Sequence, residues 1–147
     1  MKALVLFDTG FGNTKIIAEK IAETLGNNTV ALPVLDADTS SMENIDLLVA
    51  GSPIIAWNPT KKMQDFLAGL TGGKLKGIKA AAFDTRIKTF ISGNGAAKIS
   101  KKLEAAGAEI ITGPEFFYVK DREGPLLQGE TEKAAEWAKK IREISGF

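Results

Sequence analysis

Asp8-Thr9-Gly10-Phe11-Gly12-Asn13-Thr14 joins two segments of different pattern. Ala3–Phe7, directly before it, is an uninterrupted apolar run, which is typical of a buried parallel strand. After it, apolar residues recur at the spacing of one helical face, at Ile17, Ile21 and Leu25. The stretch therefore predicts a tight turn from the end of a strand into the start of a helix.

The composition of this turn suits the binding of an anion. The start of a helix presents unpaired backbone N–H groups and a partial positive charge. Glycines and short side chains allow a phosphate to approach these groups closely, and the hydroxyls of Thr9 and Thr14 add donors. An ordinary helix start, capped by Asn13 or Thr14, is the alternative.

The alternation of strand and helix continues to the end of the chain. Apolar segments predict four more strands, at residues 29–32, 46–51, 78–83 and 109–119. Helices are predicted between them and at the end, and the second helix begins at Thr60 and ends at Gly72-Gly73. Residues 36–44 are polar and predict a short helix at most. This order indicates one α/β domain covering residues 1–147, with a five-stranded parallel sheet and helices on both faces.

Two prolines indicate the order of the strands. Proline in a strand favours a sheet edge, because it cannot donate to the hydrogen-bond ladder. Pro33 and Pro114 mark the second and fifth strands, which predicts the doubly wound order 2-1-3-4-5. The chain then reverses direction between strands one and three, and ligands bind at such a point, at the carboxyl ends of the strands. The loops at this edge are residues 8–14, 52–59 and 84–95.

Trp57 lies in the second of these loops, between polar residues and prolines rather than in an apolar stripe. An aromatic ring in this setting is predicted to stack on a planar ligand. The alternative is that Trp57 covers the sheet edge or packs on a neighbouring helix. Trp137 has the spacing of an amphipathic helix and is predicted to be a core residue.

Composition excludes several classes of protein. The chain has no cysteine and no histidine, which rules out disulfides, thiolate metal sites, cysteine nucleophiles and the Ser-His-Asp triad. No metal site is predicted, and an enzyme made from this chain would need a cofactor. With a net charge of +1 and no apolar run of membrane-spanning length, neither nucleic-acid binding nor membrane insertion is expected. No signal-like segment precedes the first strand, so a cytoplasmic location is expected.

The three loops resemble those of the short-chain flavodoxins. Residues 8–14 resemble the loop that holds the phosphate of FMN in that family. Gly51-Ser52-Pro53-Ile54-Ile55-Ala56-Trp57-Asn58-Pro59 resembles the loop along the flavin ring, and Asp84-Thr85-Arg86-Ile87 resembles the loop near its pyrimidine side. The unbroken fifth strand also resembles that of the short-chain members. The resemblance covers essentially the whole chain and implies non-covalent FMN as the cofactor, with one- or two-electron redox chemistry.

The resemblance implies a set of cofactor-binding residues: Asp8, Thr9, Gly10, Phe11, Gly12, Asn13, Thr14, Ser52, Pro53, Ile54, Trp57, Asn58, Asp84, Thr85 and Arg86. In it the first loop holds the phosphate, Ser52 and Pro53 begin the flavin loop, and Trp57 stacks on or borders the ring. Asn58 lies near the flavin N5, while Thr85 and Arg86 approach the pyrimidine edge. Pairing of Arg86 with Asp84 or Asp121 is the alternative.

Two departures from the family concern the flavin ring. Flavodoxins often stack a tyrosine of the third loop on the second ring face, and here only Phe90 stands as a substitute, unless that face is open to a substrate. The residue beside the ring aromatic is often glycine. Asn58 occupies that position and tolerates left-handed backbone angles better than most residues.

The predicted function is that of an electron carrier whose redox protein partners dock over the flavin edge. The alternative is an FMN-dependent NAD(P)H:quinone reductase or a related flavin oxidoreductase. Residues 73–102 hold eight basic residues against one acid, which suits an anionic nicotinamide cofactor or an acidic carrier partner equally. A phosphate-accepting receiver domain of the same topology is excluded, because the third strand ends Ala50-Gly51-Ser52 without the required aspartate.

Overall fold

The computed structural model describes residues 2–26, 28–88 and 93–147. Its strands are β1 (Ala3–Phe7), β2 (Thr29–Pro33), β3 (Leu47–Pro53), β4 (Lys79–Ile87), β5 (Glu109–Ile110) and β6 (Glu115–Val119). Its helices are α1 (Asn13–Leu25), α2 (Lys61–Ala68), α3 (Gly95–Ala105) and α4 (Glu130–Ser145), with short 3-10 turns at Val34–Asp36 and Thr39–Met42. Among the described residues, no helix is long and apolar enough to cross a membrane. The predictions for Phe90 and for a turn beginning at Ser92 lie outside the described residues.

The strands form one parallel sheet in the order β2-β1-β3-β4, with β5 and β6 both paired to β4. This confirms the predicted order 2-1-3-4-5, with a sixth strand as a small addition. Phe7 of β1 pairs with Gly51 of β3, which pairs with Phe83 of β4. The three central strands therefore reach the same edge of the sheet together.

The prediction of one unbroken fifth strand is wrong, because residues 111–114 separate β5 from β6. Lys79 of β4 pairs with Glu109, thirty positions later, whereas Phe83 pairs with Glu115, thirty-two positions later. Two extra residues are thus accommodated around Pro114, which has no N–H to donate to the ladder. Because the change of register is even, the side chains of β6 keep their alternation between the two faces.

The fourth strand is longer than predicted. β4 continues to Ile87, so Asp84, Thr85 and Arg86 are strand residues rather than a loop. The physical reason is β6, whose residues pair one by one with residues 83–87 of β4. Similarly, β3 continues through Pro53 because it is paired with β4 as far as Thr85.

The second helix is shorter than predicted. Thr60 caps α2, since its hydroxyl accepts a hydrogen bond from the Met63 N–H at 3.2 Å. The helix ends at Ala68 rather than at Gly72-Gly73. Leu70 lies beyond its end but is buried in the same core, so apolar spacing alone overestimated the length of the helix.

The core lies on both faces of the sheet, because the side chains of each strand alternate. On one face, Leu4 and Leu6 of β1 pack in a cluster with residues of α2 and α3. On the other, Val5 and Phe7 pack in a cluster with residues of α1 and α4. Trp137 belongs to this second cluster and is buried, as predicted.

The outer edge of β6 is covered by contacts from α4 and the preceding loop. The buried Glu130 carboxylate accepts a hydrogen bond from the Tyr118 N–H at 2.6 Å. The Lys133 ammonium donates to the Phe116 carbonyl at 2.7 Å, and the Leu127 N–H donates to the Tyr118 carbonyl at 2.9 Å. These contacts occupy backbone groups that an edge strand otherwise offers to another chain.

Replacement of Glu130 tests this edge. Glu130→Ala leaves the Tyr118 N–H without its acceptor and is expected to lower the free energy of unfolding by about 1–3 kcal/mol. Glu136→Ala on the same helix, which removes an exposed ion pair with Lys139, should change it by less than about 0.5 kcal/mol. Urea denaturation measures the free energy of unfolding of both variants. Equal losses in the two variants would show that the hydrogen bond from Tyr118 to Glu130 does not stabilise the fold.

Candidate functional site

A cleft of about 530 Å³ opens at the carboxyl ends of the central strands, where the three predicted loops meet. Its lining includes many of the predicted binding residues: Thr9, Gly10, Phe11, Asn13, Thr14, Pro53, Ile54, Thr85 and Arg86. Other predicted residues are absent from the lining: Asp8, Gly12, Ser52, Trp57, Asn58 and Asp84. The three loops therefore meet at one edge of the sheet, as expected of a doubly wound fold. Some of the predicted residues line the cleft, whereas the others lie outside its lining.

The first loop leaves the N-terminus of α1 without a side-chain cap. Gly12 occupies the cap position with a left-handed φ of 94°, a backbone conformation that glycine adopts without strain. Its N–H donates to the Thr9 hydroxyl oxygen at 2.9 Å, so the loop closes on itself just before the helix. Asn13 and Thr14 of the first turn of α1 line the cleft, and no side chain caps the backbone N–H groups of this turn.

Asn13 and Thr14 contact other parts of the protein, so the alternative that one of them caps the helix is wrong. The Asn13 side-chain amide donates to the Glu123 carbonyl at 3.1 Å. The hydroxyls of Thr14 and Thr85 lie 2.7 Å apart and share a hydrogen bond, and both residues are buried. Thr14 thereby joins the first loop to β4.

Asp8 links the first two loops from outside the cleft lining. Its carboxylate accepts hydrogen bonds from the Thr60 hydroxyl at 2.5 Å and from the Thr9 N–H at 2.9 Å. The Thr60 N–H in turn donates to the Ser52 hydroxyl oxygen at 2.9 Å. Asp8 and Ser52, both predicted as binding residues, therefore hold the loops in position through Thr60.

The second loop turns back on itself at Ala56 and Trp57. Ile55 and Asn58 exchange backbone hydrogen bonds of 2.7 and 3.0 Å on either side of the turn. Ala56 and Trp57 have φ angles of 49° and 67°, as in the two-residue hairpin turns that usually contain asparagine and glycine. Asn58 was the residue whose type suggested a left-handed backbone conformation. In the structure the left-handed residues are instead the two before it, Ala56 and Trp57.

Trp57 and Asn58 directly follow Ala56, a residue of the cleft lining, but are not part of that lining themselves. The Trp57 side chain is 56% exposed, and its stacking on a ring stays a prediction. Lys98 of α3 donates to the Asn58 side-chain oxygen at 2.6 Å and to the Trp57 carbonyl at 3.1 Å. Asn58 lines a separate groove of about 290 Å³ between α2 and α3.

Arg86 pairs with Asp84, which is one of the two arrangements considered for it. The guanidinium donates through Nε and Nη2 to the two carboxylate oxygens, at 2.8 and 2.6 Å, and lies 4.2 Å from the centre of the Phe116 ring. Asp84 also accepts a hydrogen bond from the Ala96 N–H at the start of α3. Burial raises the pKa of Asp84, while the contacts from Arg86 and Ala96 act in the opposite direction. Arg86 lines the cleft with its charge compensated inside the protein.

Several lining residues were not selected from the sequence: Ile55, Ala56, Ile87, Val119 and Arg122. The first three lie within the predicted loops, next to residues that were selected. Val119 ends β6, and Arg122 lies in the loop that follows it, a segment from which the sequence analysis selected no binding residue. The sequence could have indicated this segment, because the carboxyl ends of all strands in a parallel sheet lie at the same edge, and this segment follows the last strand.

The charged side chains that line the cleft are both basic. They belong to Arg86 and Arg122, and no carboxylate is found among the described lining residues. Within the part of the chain that the structure describes, no group of acidic residues has an arrangement that would hold a metal ion. The cleft is therefore suited to a ligand that carries negative charge.

Gly93 offers a test of how the third loop supports the second. A Cβ atom at residue 93 would lie 2.3 Å from the Trp57 Cα, whereas at Gly113 nothing lies within 4 Å of an added Cβ. Gly93→Ala is therefore expected to displace the Trp57 turn and to lower the free energy of unfolding by roughly 1–3 kcal/mol. In ¹H–¹⁵N spectra the Trp57 indole signal should move while that of Trp137 stays.

Gly113→Ala is the matched control and should move neither indole signal. A Trp57 signal that stays in place in Gly93→Ala would mean that the turn does not depend on contact with residue 93.

The fold is similar to solved flavodoxin structures over nearly its whole length. Flavodoxin 2 from Bacillus cereus is 23% identical, with a TM-score of 0.82 and coverage of 97% of this chain and 99% of that one. A flavodoxin from the domain Archaea is 18% identical, with a TM-score of 0.81 and full coverage of both chains. A WrbA-like flavodoxin from Agrobacterium tumefaciens is 14% identical, with a TM-score of 0.78 and coverage of 99% and 97%. At these identities the similarity establishes the fold.

Comparison with curated proteins finds no significant match. A family model, in contrast, extends the similarity to the sequence itself. The model, described as the Flavodoxin domain, matches residues 4–113, which is about three quarters of the chain and includes all three loops. On the strength of this match, the chain belongs to the flavodoxin family.

Proposed function

We propose that this protein binds FMN non-covalently in the cleft and carries electrons between redox proteins. Proteins of the flavodoxin family bind a flavin, generally FMN. In this proposal residues 1–147 form one FMN-binding domain in the cytoplasm. When bound, FMN supplies the one- or two-electron chemistry, and the protein supplies binding and orientation.

The observation that carries the proposal is the mixed chemistry of the cleft lining. The first loop and the uncapped start of α1 contribute Thr9, Gly10 and hydroxyl and backbone N–H donors. The second loop and the end of β4 contribute the apolar side chains of Ile54, Ile55 and Ile87. A ligand with an anionic phosphate and a planar apolar ring fits such a cleft, whose volume is within the usual range for cofactor sites.

In this proposal the polar and the apolar residues of the cleft lining bind different parts of FMN. Hydrogen bonds from the first turn of α1 hold the phosphate. The Thr9 oxygen already accepts from the Gly12 N–H, so its own hydroxyl hydrogen remains to be donated to a phosphate oxygen. Ile54, Ile55 and Val119 exclude water from the ring, and Trp57 borders it at the rim.

The rim of the cleft supports docking of a partner protein over the flavin edge. Four large apolar side chains around it are about half exposed, namely Phe11, Ile55, Trp57 and Ile87. Clusters of exposed apolar residues of this kind mark surfaces that are covered by a partner. A carrier needs such a surface because its electrons leave to another protein rather than to a substrate held inside it.

Gly10 provides a test of where the phosphate binds. Residue 10 is exposed and lies in the cleft lining, and an added Cβ there meets nothing within 4 Å. Gly10→Asp brings a carboxylate to the phosphate end and is expected to weaken FMN binding at least about tenfold relative to the isosteric Gly10→Asn. Riboflavin, which lacks the phosphate, should bind the two variants equally in a fluorescence titration.

Two results would count against the proposal. Absence of FMN binding by the unmodified protein overturns it as a whole. Equal FMN affinity in Gly10→Asp and Gly10→Asn means that the phosphate does not lie at residues 8–14.

An anaerobic absorbance spectrum separates the carrier from the enzyme. The FMN-reconstituted protein is expected to keep its oxidised flavin band after NADH or NADPH is added and to lose it with dithionite. Rapid loss of the band on mixing with either nicotinamide would replace the carrier by an NAD(P)H-dependent reductase. Free FMN under the same conditions is the control for direct chemical reduction.

A further inference from the structure

The two cations that line the cleft have different surroundings. The Arg86 guanidinium forms two hydrogen bonds to the buried Asp84 carboxylate, which compensates its charge. Arg122 is exposed, and none of the ion pairs recorded among residues 2–26, 28–88 and 93–147 involves it. Arg122 is thus the cation of the described cleft lining that forms none of these ion pairs.

The turn that carries Arg122 is seated on the first turn of α1. The Asn13 side-chain amide donates to the Glu123 carbonyl at 3.1 Å. Gly124 packs so closely that a Cβ there would lie 2.6 Å from the Asn13 side-chain oxygen. A hydrogen bond of 2.9 Å from the Gly124 N–H to the Asp121 carbonyl closes the turn. The backbone of Arg122, one residue from Glu123, is therefore held beside the first turn of α1.

The first loop itself supplies no cation. Asp8 is its one charged residue, and its carboxylate is bonded to Thr60 and Thr9. The donors of the loop are backbone N–H groups and hydroxyls, which bear partial charges only. A phosphate monoester carries nearly two negative charges at pH 7, so these donors leave much of its charge uncompensated.

We propose that Arg122 is the counter-ion of the FMN phosphate and sets the preference of this protein for FMN over riboflavin. The inference rests on the proposed function, because it assumes that the cleft binds FMN. A guanidinium presents paired N–H donors that match two phosphate oxygens. Because Arg122 is exposed, its contribution falls as salt screens the pair.

Affinities for two flavins test this role, with fluorescence titrations of FMN and riboflavin at low and high salt. Arg122→Ala is expected to weaken FMN binding roughly tenfold at low salt and riboflavin binding by less than about twofold. Arg122→Lys should retain part of the preference for FMN, since it keeps the charge but not the paired donors. Arg142→Ala, which removes an arginine of α4 that does not line the cleft, should change neither affinity.

Three outcomes would overturn the inference, and they differ from failure of the proposed function. Equal weakening of FMN and riboflavin binding in Arg122→Ala would assign a structural role to the residue. Unchanged FMN affinity in both Arg122→Ala and Arg122→Gln would show that Arg122 makes no contact with the phosphate. A preference for FMN over riboflavin that does not change with salt would exclude an exposed ion pair. If the unmodified protein binds neither flavin, the proposed function fails and the inference falls with it. Thermal midpoints of the apo variants verify that each one is folded.

Discussion

Parallel alignment of β1, β3 and β4 in one register is the constraint on which the site depends. Phe7, Gly51 and Phe83 are paired across the sheet, so the three loops start at one edge, separated by strand spacings of about 4.8 Å. Glycine at position 51 permits this arrangement, since a Cβ there would lie 2.1 Å from the Phe83 ring. Phe83 is fully buried and has no room to move aside.

Polar contacts between distant segments convert these three loops into a cleft of defined shape. Asp8 bonds to Thr60 at the start of α2, and Asp84 bonds to Ala96 at the start of α3. Each carboxylate thereby binds the N-terminal turn of a helix, where a negative charge is stabilised. These bonds hold both carboxylates outside the cleft lining, and the Arg86 guanidinium also compensates the charge of Asp84. A lining without carboxylates favours an anionic ligand.

The donor groups available to a ligand in this cleft are of two kinds, neutral groups on a helix and a charged group on a separate turn. The N–H groups of α1 are held by the helix and by the closed loop at Gly12, so their geometry does not depend on a ligand. Arg122 joins the lining from the segment after β6, where the Asn13 side chain donates to the Glu123 carbonyl. Fixed donors favour correct orientation, whereas an exposed charge favours attraction over a longer range that salt reduces.

Local pattern was sufficient to predict the strand order and the sheet edge at which the three loops lie, but not where the second and third loops begin. Apolar runs, helical spacing and prolines act through neighbours in the chain. The break in the fifth strand and the extension of β4 to Ile87 required the pairing of β4 with β6, which lies outside any local window. The same holds for the functional side chains. Asp8 and Thr60 are 52 residues apart and Asn13 and Glu123 are 110 apart, so only tertiary structure decided which side chains hold the loops and which line the cleft. Hydrogen-bond partners at such separations are set by the packing of the whole sheet, whereas the type of each element is set by a few adjacent residues.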